Sequence, residues 1–287
     1  MEQRRLLRHA LQRLRRALNR LLIFGLGYTA SRIAARLRAQ GWTVDATGRA
    51  GNVPFEAADN ALAAASHVLS SVPPAGDEDP VLARYATALP GRWLGYLSST
   101  GVYGDAGGAW VDETASLNGR RGGRVSADQA WLALGAHVFR LPGIYGPGRS
   151  PLDRVASRSA HRVDAPGQVF SRVHVDDIAS AFVCALDAPP GAYNIADDRP
   201  AAQNDVVEAA SRLLGLPPPP FVALASLSPQ SRAFYAENRR VANGKAKRML
   251  GWVPAYPDFV AGLGALSAMS SPESATTPPA PASQLQR

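Results

Sequence analysis

The stretch LLIFGLGYTASRIAARLRAQGWTVDATGR, residues 21–49, decides the fold of this chain. An apolar run is followed by a glycine-containing turn, an amphipathic segment and a second short run, which predicts strand, turn, helix and strand. The turn has the pattern G-x-G-x-x-A, with Gly25, Gly27 and Ala30 at the small positions. Gly25 allows the sharp turn, Gly27 lets a pyrophosphate approach the backbone, and Ala30 lets the helix pack closely on the sheet. In this context the pattern predicts a dinucleotide site at the helix N-terminus.

The second predicted strand, residues 43–47, ends in Gly48 and Arg49. An NAD site usually places an acid at this point, whereas an arginine nearby suits the 2′-phosphate of NADP. Asp45 lies inside the strand and is too early for that role. Arg49 therefore favours NADP, with NAD as the alternative. A solvated surface arginine is the competing interpretation of Arg49, because arginine is common in this chain.

Positive charge is concentrated at one end of the 287-residue chain, whose net charge is +8. Residues 1–20 contain seven arginines and one glutamate, which is +6, so the other 267 residues carry about +2. The body of the protein therefore lacks the basic footprint of a nucleic-acid-binding protein.

The two ends of the chain are predicted to lie outside the folded body. Residues 1–20 place leucines at helical spacing opposite the arginines, and we interpret them as a dispensable N-terminal extension. A membrane-surface or partner helix, an organellar transit peptide and translation from upstream of the true start are the open alternatives. Residues 269–287 are rich in Ser, Pro, Ala and Thr and are predicted to be a disordered tail.

Several classes of protein are excluded by composition. Cys184 is the only cysteine, so there is no internal disulfide, and its apolar surroundings predict a buried structural thiol. The five histidines show no metal-ligand spacing, so no metal is expected. No segment is long and apolar enough to cross a bilayer, so no membrane partner and a cytoplasmic location are expected.

Strand and helix patterns alternate through residues 21–141, which predicts a parallel sheet covered by helices on both faces. The predicted fold class is α/β, a doubly wound parallel sheet of the Rossmann type with a small C-terminal cap. Ligands of such sheets bind at the carboxyl ends of the strands. Four motifs follow predicted strands, at residues 25–30, 72–74, 98–100 and 142–145.

The predicted dinucleotide-binding domain comprises residues 21–145, plus strands that return to the sheet from within residues 168–195. These returns are predicted near residues 168–173 and 192–195. Residues 146–268 are predicted to form mainly a substrate-binding cap, because loops rich in Gly, Pro and Arg alternate there with helical segments.

Five segments together are more specific than the glycines: GLGYTA (25–30), SSTGVYG (98–104), RLPGIYGPG (140–148), RVHVDDIASA (172–181) and YNIADDRP (193–200). In this order the chain resembles the extended short-chain dehydrogenases/reductases, in the NAD-dependent epimerase/dehydratase group. The resemblance is closer to an atypical subgroup of compact members than to the sugar-nucleotide epimerases. It implies a small-molecule substrate, and a homodimer, because members often dimerise through two helices.

The resemblance implies a catalytic Ser or Thr and a Y-x-x-x-K pair. In the family the Tyr is the acid/base, the Lys lowers the Tyr pKa and binds the nicotinamide ribose, and the Ser or Thr, here Ser99, orients the substrate oxygen. The helical segment GRRGGRVSADQAWL, residues 119–132, departs from this pattern. Matching the family's acid to Asp128 places Arg124 at the Lys position and Arg120 at the Tyr position.

The pair is absent and not merely displaced. The two lysines of the chain, Lys245 and Lys247, lie far downstream, and no tyrosine lies between Tyr103 and Tyr145. Arg124 can replace the lysine as a cation toward the ribose, but a guanidinium stays protonated and cannot shuttle a proton.

Tyr103 is the best candidate for the missing proton donor, because it lies close to Ser99; a packing aromatic is the competing interpretation. His174 can carry a proton near neutral pH. In the family, however, its position usually starts a structural helix, with Asp176 or Asp177 as the cap. Arginines at 140, 149, 154 and 172 could line the substrate cleft and favour an anionic ligand; ordinary surface charge is the alternative.

The predicted site residues fall in three groups. The catalytic residues are Ser99, Tyr103 and Arg124. The cofactor-binding residues are Gly25, Gly27, Tyr28, Thr29, Ala30, Arg49, Ser71, Val72, Pro73, Arg124 and Pro142. The substrate-binding residues are Thr100, Arg149, Arg172 and His174. The sequence thus predicts an NADP-dependent oxidoreductase-like or epimerase-like enzyme for a small, polar, anionic metabolite; the alternative is a non-catalytic NAD(P)-binding redox sensor or regulatory protein.

Overall fold

The computed structural model describes residues 19–270, so the predicted extension at 1–20 and the predicted tail at 269–287 lie almost wholly outside the described residues. The strands are, in chain order, β1 (Arg20–Phe24), β2 (Thr43–Ala46), β3 (His67–Ser70), β4 (Trp93–Ser99), β5 (Trp110–Val111), β6 (His137–Leu141), β7 (Gly143–Tyr145), β8 (Arg162–Val163), β9 (Arg172–His174), β10 (Gly191–Asn194), β11 (Phe221–Val222) and β12 (Arg240–Val241). The helices are α1 (Tyr28–Ala39), α2 (Asp59–Ala64), α3 (Pro80–Tyr85), α4 (Gly122–Ala133), α5 (Pro151–Ala156), α6 (Val175–Ala185), α7 (Gln203–Leu213), α8 (Pro229–Tyr235), α9 (Gly244–Leu250) and α10 (Phe259–Ser270).

Six strands form one sheet in the order β2-β1-β3-β4-β6-β10, and all neighbours run parallel. Residues 21–24 of β1 are at most 1% exposed because helices cover both faces, which explains their unbroken apolar sequence. The α/β fold of the Rossmann type that the sequence predicts is confirmed.

The two faces of the sheet carry separate hydrophobic cores, since alternate residues of each strand point to opposite faces. On one face, α1 and α6 contribute side chains such as Ile33 and Phe182. On the other face, α3 and α4 contribute side chains such as Val81 and Trp131.

The sheet has a switch point beside β1. The chain adds β2 on one side of β1 and then crosses over to place β3 on the other side. The carboxyl ends of β1 and β3 lead into Gly25 and Ser71. The crevice between them is where doubly wound sheets bind their ligands.

A smaller core lies in the cap, where α5, α7 and α10 pack together. It contains Tyr145, Leu152, Val155, Val206, Val207, Phe259, Leu263 and Leu266. Three further pairs of short parallel strands join loops: β5 with β12 and β7 with β9 connect the two halves, and β8 with β11 lies within the cap.

One predicted strand is wrong. Residues 168–173 do not rejoin the main sheet, because β9 begins at Arg172 and pairs with β7 in a separate two-stranded sheet. The strand near residues 192–195 is β10, which pairs with β6 at the edge of the main sheet.

Helix α4 begins inside the helical segment expected at residues 119–132. Its first residue is Gly122 and its N-cap is Arg121. Arg124 therefore lies in the first helical turn, whereas Arg120 precedes the helix. The two positions that the family resemblance places one turn apart on a helix are not on the same helix here.

Within residues 19–270, no helix is both long enough and apolar enough to cross a membrane. No group of three or more metal-binding side chains occurs in that same range. Cys184 is half-buried against the α1–α6 core and not fully buried as predicted.

Candidate functional site

A cavity of about 1060 Å³ opens at the carboxyl edge of the sheet and extends into the cap. Its sheet side is lined by residues 27–30 and 97–101, and its cap side by side chains from α5, α8 and the loops around them. The cavity therefore joins the predicted dinucleotide turn to the region where the resemblance places the substrate.

The glycine-rich turn is anchored to the end of β2. Gly25 has a φ of +86°, and a Cβ there would lie 3.0 Å from Cγ2 of Val72. The Gly25 N–H donates to Oγ1 of Thr47 at 3.1 Å, and the Leu26 N–H donates to the Thr47 carbonyl at 2.8 Å. Only glycine fits this position without strain.

The next part of the turn leaves backbone donors free. The Gly27 N–H donates to the Gly25 carbonyl at 2.8 Å, and the first bond inside α1 runs from the Ser31 N–H to the Gly27 carbonyl at 2.9 Å. The N–H groups of residues 28–30 have no partner within the described residues. A Cβ at Gly27 would meet no atom within 4 Å. The turn thus fits a pyrophosphate, which needs open space above a helix N-terminus.

Two side-chain hydroxyls connect this turn to neighbouring loops. The Ser71 hydroxyl donates to the Gly25 carbonyl, and the Tyr28 hydroxyl donates to the Pro147 carbonyl at 3.1 Å. Burial raises the pKa of Tyr28, so its hydroxyl stays protonated as that bond requires. Arg149 lies over the Tyr28 ring, with Cζ 5.8 Å from the ring centroid.

The loop after β2 carries Arg49, and the one acid within β2, Asp45, already has hydrogen-bond partners. Arg49 is exposed, and its guanidinium has no partner within the described residues. The preceding residue, Gly48, packs closely against the turn, because a Cβ on Gly48 would lie 3.2 Å from the Leu26 nitrogen. Arg49 therefore follows directly after a contact with the turn. Asp45 lies within β2 and already accepts hydrogen bonds from Asn52 at 2.9 Å and Arg20 at 3.3 Å.

Ser99 lies at the end of β4 and lines the cavity. Its Oγ accepts a hydrogen bond from the Gly101 N–H at 3.1 Å and caps the short helical turn Thr100–Tyr103. Because the oxygen is the acceptor there, the hydroxyl proton is free to be donated into the cavity.

Arg120, at the family's Tyr position, connects the sheet half to the cap. Its Nε donates to Oε1 of Glu237 at 2.5 Å, and its Nη2 donates to the Ala233 carbonyl in α8 at 2.6 Å. Glu237 also accepts from Nη1 of Arg239 at 2.7 Å, and the same Nη1 donates to the Gly104 carbonyl at 2.6 Å. Arg120 and Arg239 thus share one carboxylate across the cavity.

The cavity wall is strongly positive. Seven arginines line it against two acids, Asp153 and Glu237. The arginines are Arg120, Arg121, Arg124, Arg149, Arg154, Arg172 and Arg239. The guanidinium groups of Arg121, Arg124 and Arg154 make no hydrogen bond or ion pair within the described residues, so they keep their donors for a ligand.

Tyr103 faces away from the cavity. It is 3% exposed, its hydroxyl donates to Oδ1 of Asn194 at 2.8 Å, and it accepts from Nη1 of Arg140 at 3.0 Å. Burial raises its pKa, and Arg140 opposes that rise only in part. This placement matches the packing interpretation, because both bonding directions of the hydroxyl are occupied inside the core.

Arg140 is buried with its partner and does not line the cleft as predicted. Its Nη2 donates to Oδ1 of Asp128 at 2.7 Å, and its Nε donates to Oδ2 of the same carboxylate at 3.1 Å. The Ser98 hydroxyl donates to Oδ2 as well, at 2.6 Å. The acid that marks the motif on α4 therefore fixes this helix to β4 and β6.

His174 caps α6 and does not line the cavity. It is 2% exposed, and its Nδ1 accepts from the Asp176 N–H at 3.3 Å. Burial lowers its pKa, which keeps the ring neutral. The expectation that Asp176 or Asp177 caps this helix is wrong, because the carboxylate of Asp177 accepts from the N–H groups of Ala255 and Tyr256 instead.

The structure brings together most of the predicted site residues. Those that line the cavity are Gly27, Tyr28, Thr29, Ala30, Ser71, Pro73, Ser99, Thr100, Arg124, Pro142, Arg149 and Arg172. Those that do not are Gly25, Arg49, Val72, Tyr103 and His174. Gly25 is the first residue of the turn and Val72 packs behind it, so both shape the turn without lining the cavity.

Sequence reasoning missed the residues that α8 and the chain after it contribute to the cavity. Phe234, Tyr235, Glu237 and Arg239 all line it. No motif or periodicity marks them, and their position depends on contacts with residues more than a hundred places earlier in the chain.

Comparison with known proteins places this architecture in a family. No family model matches the sequence. The chain is 30% identical over 244 residues, which are 80% of this chain and 71% of the relative, to a 3-diazoavenalumate denitrifying reductase of a Streptomyces species. The chain belongs to the NAD-dependent epimerase/dehydratase family of extended short-chain dehydrogenases/reductases.

Three other known proteins are also similar to this chain. The chain is 35% identical over 137 residues to protein YeeZ of Escherichia coli K12, and this match spans about half of YeeZ (47%) and 44% of the chain. A conserved Silicibacter pomeroyi protein of unknown function has 42% identity and a TM-score of 0.80, covering 88% of this chain and 99% of that one. A human epimerase family protein, solved with NADPH, has 16% identity and a TM-score of 0.70, covering 87% and 99%.

Proposed function

We propose that the protein is an NADP-dependent reductase of a small anionic metabolite that works without a Tyr–Lys pair. One observation carries the proposal. A single cavity of about 1060 Å³ connects the free N–H groups of residues 28–30, the Ser99 hydroxyl and seven arginines. Such a cavity combines donors for a pyrophosphate, a donor for a substrate atom and cations for a substrate anion.

Residues at the turn would hold the cofactor. The amides of residues 28–30 would bind the pyrophosphate, Arg49 the 2′-phosphate, and Arg124 the ribose hydroxyls from the first turn of α4. The absence of a free acid at the end of β2 favours NADP over NAD, since Asp45 is already bonded to Asn52 and Arg20. Bound NADPH would supply a hydride.

The remaining chemistry falls to Ser99 and the arginines. Ser99 would orient a substrate atom by donating its free proton, because its oxygen is held by the Gly101 N–H. The arginines would hold an anionic group of the substrate and would stabilise negative charge that develops on it. Neither group can exchange a proton with a substrate alcohol at neutral pH, so a hydride acceptor that needs no proton at oxygen is favoured over an alcohol or a ketone.

The name of the Streptomyces relative supports a reductase. Its name describes a reductase that removes nitrogen from a diazo compound. When a hydride replaces a neutral leaving group such as N₂, no substrate oxygen has to gain or lose a proton. A family site that lacks the Tyr–Lys pair is suited to hydride acceptors of this kind.

A non-catalytic NADPH-binding protein is the second candidate. It is favoured by the placement of Tyr103, which is buried against Arg140 and Asn194 and leaves the cavity without the family's proton donor. A redox sensor would need the cofactor turn and the arginines but no turnover.

Calorimetric titration of NADPH and NADH into the full chain tests the cofactor half of the proposal. We expect micromolar NADPH affinity, which Arg49→Ala weakens about tenfold without changing NADH binding. Arg212→Ala, an exposed arginine on α7, is the matched control and should change neither. Equal loss of both nucleotides in Arg49→Ala would refute NADP specificity, and no binding of either would refute the function.

Turnover separates the two candidates. NADPH oxidation would be followed with a panel of anionic electrophiles, in the parent chain and in Ser99→Ala. An enzyme loses most of its turnover in the variant and keeps its NADPH affinity. NADPH binding without oxidation by any member of the panel favours the sensor.

A further inference from the structure

An aromatic ring stands exposed inside the cavity. Phe234 lines the cavity on α8, yet it is 60% exposed, and the apolar side chain of Leu227 lies in the same wall. A large apolar side chain that faces water within a concave site is typical of a ligand contact, because ligand cavities are lined by apolar and aromatic groups with a few polar ones.

The residue after Phe234 adds a hydroxyl without a partner. Tyr235 also lines the cavity, packs its ring edge-on against Phe170 at 5.4 Å, and makes no hydrogen bond through its hydroxyl within the described residues. Burial raises the pKa of Tyr235, and Arg154 and Arg172 lower it, so both cations lie near its ring.

The two nearby arginines differ in how far their donors are used. Arg172 is buried and donates to the carbonyls of Phe170 and Ala201 and to Oε1 of Gln203, at 2.8, 3.0 and 2.9 Å. Arg154 is exposed on α5, and its guanidinium has no hydrogen-bond or ion-pair partner within the described residues. Arg154 is therefore the cation next to the α8 aromatics that is free to bind an anion.

We propose that Phe234, Tyr235 and Arg154 form a subsite for an aromatic carboxylic acid in the cap. The ring of the ligand packs against Phe234 and Leu227, and its carboxylate accepts from the Arg154 guanidinium and the Tyr235 hydroxyl. The proposal rests on the proposed function, since it names the class of metabolite that the reductase takes.

Binding of small probes to the full chain, without nucleotide, tests the subsite. Cinnamate has a ring and a carboxylate, acetate has the carboxylate without a ring or a long apolar chain, and cinnamyl alcohol has the ring without the carboxylate; hexanoate has an alkyl chain in place of the ring. We expect cinnamate to bind about tenfold more tightly than hexanoate or cinnamyl alcohol. Phe234→Ala should lower cinnamate affinity about tenfold, hexanoate affinity less, and acetate affinity not at all, whereas Arg154→Gln should weaken cinnamate and hexanoate about fivefold and leave cinnamyl alcohol unchanged.

Matched controls come from the same chain. Phe221→Ala removes a phenylalanine that is 57% exposed but lies on β11, where Arg162 stacks on it at 4.1 Å outside the cavity lining. Arg212→Gln removes an exposed arginine from α7. Neither should change cinnamate binding.

The possible results separate this subsite from the proposed function. Equal affinity for cinnamate and hexanoate, or an unchanged cinnamate affinity in Phe234→Ala, would overturn the aromatic subsite. NADPH titrated into the same variants should bind as in the parent chain. Cinnamate binding without NADPH binding would support the subsite and refute the reductase, whereas the reverse would refute the subsite alone.

Discussion

Two segments at the same edge of the sheet reach their geometry by different routes. The glycine-rich turn, residues 25–30, is held by bonds to Thr47 and Ser71, which follow the two strands beside β1. The arginine segment, residues 120–124, is held by Glu237 and the Ala233 carbonyl, more than a hundred residues away in the cap. Local sequence dictates the first geometry, and the cap dictates the second.

The difference also determines which residue types each segment can tolerate. A pyrophosphate needs backbone N–H groups and space, so the turn tolerates few residue types. The arginine segment acts through its side chains, and this chain has Arg120, ahead of α4, where the family motif expects a tyrosine on the helix. Its chemistry therefore depends on which side chain stands at each position.

The largest expected effect concerns the helix that carries the arginine segment. Asp128→Asn leaves Arg140 buried without its carboxylate, so we expect the free energy of unfolding to fall by about 3–5 kcal/mol. Urea denaturation measures it. The control is Asp45→Asn, whose partner Arg20 has a side chain that is 44% exposed, and it should cost less than about 1 kcal/mol. Equal losses would show that α4 does not depend on the buried pair.

Nucleotide affinity distinguishes the two helix N-termini. Gly27→Val directs a side chain into the open space over the turn, so we expect NADPH affinity to fall more than about a hundredfold with unchanged stability. Gly122→Val places the same side chain at the start of α4, where a Cβ would meet only Oδ1 of Asp77 at 3.8 Å. NADPH binding should survive there. Loss of binding in both variants would contradict a site confined to the first turn.

A pH series tests the ionisation of Asp197, a buried acid near Arg172. Asp197 is 2% exposed, its Oδ2 has no partner, and burial raises its pKa to about 8. The native state then keeps a proton that the unfolded chain releases near pH 4, so this group's stabilisation is lost as pH rises from about 4 to 8. Relative to Asp197→Asn, the parent chain should lose about 1.4 kcal/mol per pH unit between pH 5 and 7. A constant difference between the two chains would mean that Asp197 is ionised throughout.

The smallest expected effect concerns the exposed ion pair between Arg120 and Glu237, which joins the sheet half to the cap. A double-mutant cycle of Arg120→Gln and Glu237→Gln should give a coupling of about 0.5–1 kcal/mol, because the Arg120 side chain is 54% exposed. Hydrogen exchange at residues 233–237 should quicken in Arg120→Gln and stay unchanged in Arg212→Gln. A coupling of zero would show that the two halves are held by other contacts.

The sequence predicted the sheet and the turn because both follow from local rules. Apolar runs between helical patterns indicate buried parallel strands, and Gly25 and Gly27 stand where only glycine meets the geometry. Ser99 was expected from the family resemblance, and it lies at the end of β4 and lines the cavity. These features need no information about distant contacts.

The cap side of the site could not be predicted in the same way. Nothing near Arg140 in sequence reveals that Asp128 and Tyr103 occupy its guanidinium, so a buried arginine was indistinguishable from a ligand contact. Phe234 and Arg239 carry no motif, and their approach to the cavity is set by tertiary packing of α8. Matching the family motif also placed Arg120 on a helix, whereas α4 begins at Gly122 and Arg120 precedes it.

The sharing of Glu237 between Arg120 and Arg239 has a practical consequence for solution work. Two guanidinium groups with one counter-charge attract small anions from the buffer, and their ionic atmosphere is screened over about 10 Å at 0.1 M salt. Under the proposed function, phosphate and sulfate would compete with a carboxylate substrate inside this arginine-lined cavity. Ligand screens in a zwitterionic buffer at low chloride will therefore report a tighter apparent Kd than screens in phosphate-buffered saline.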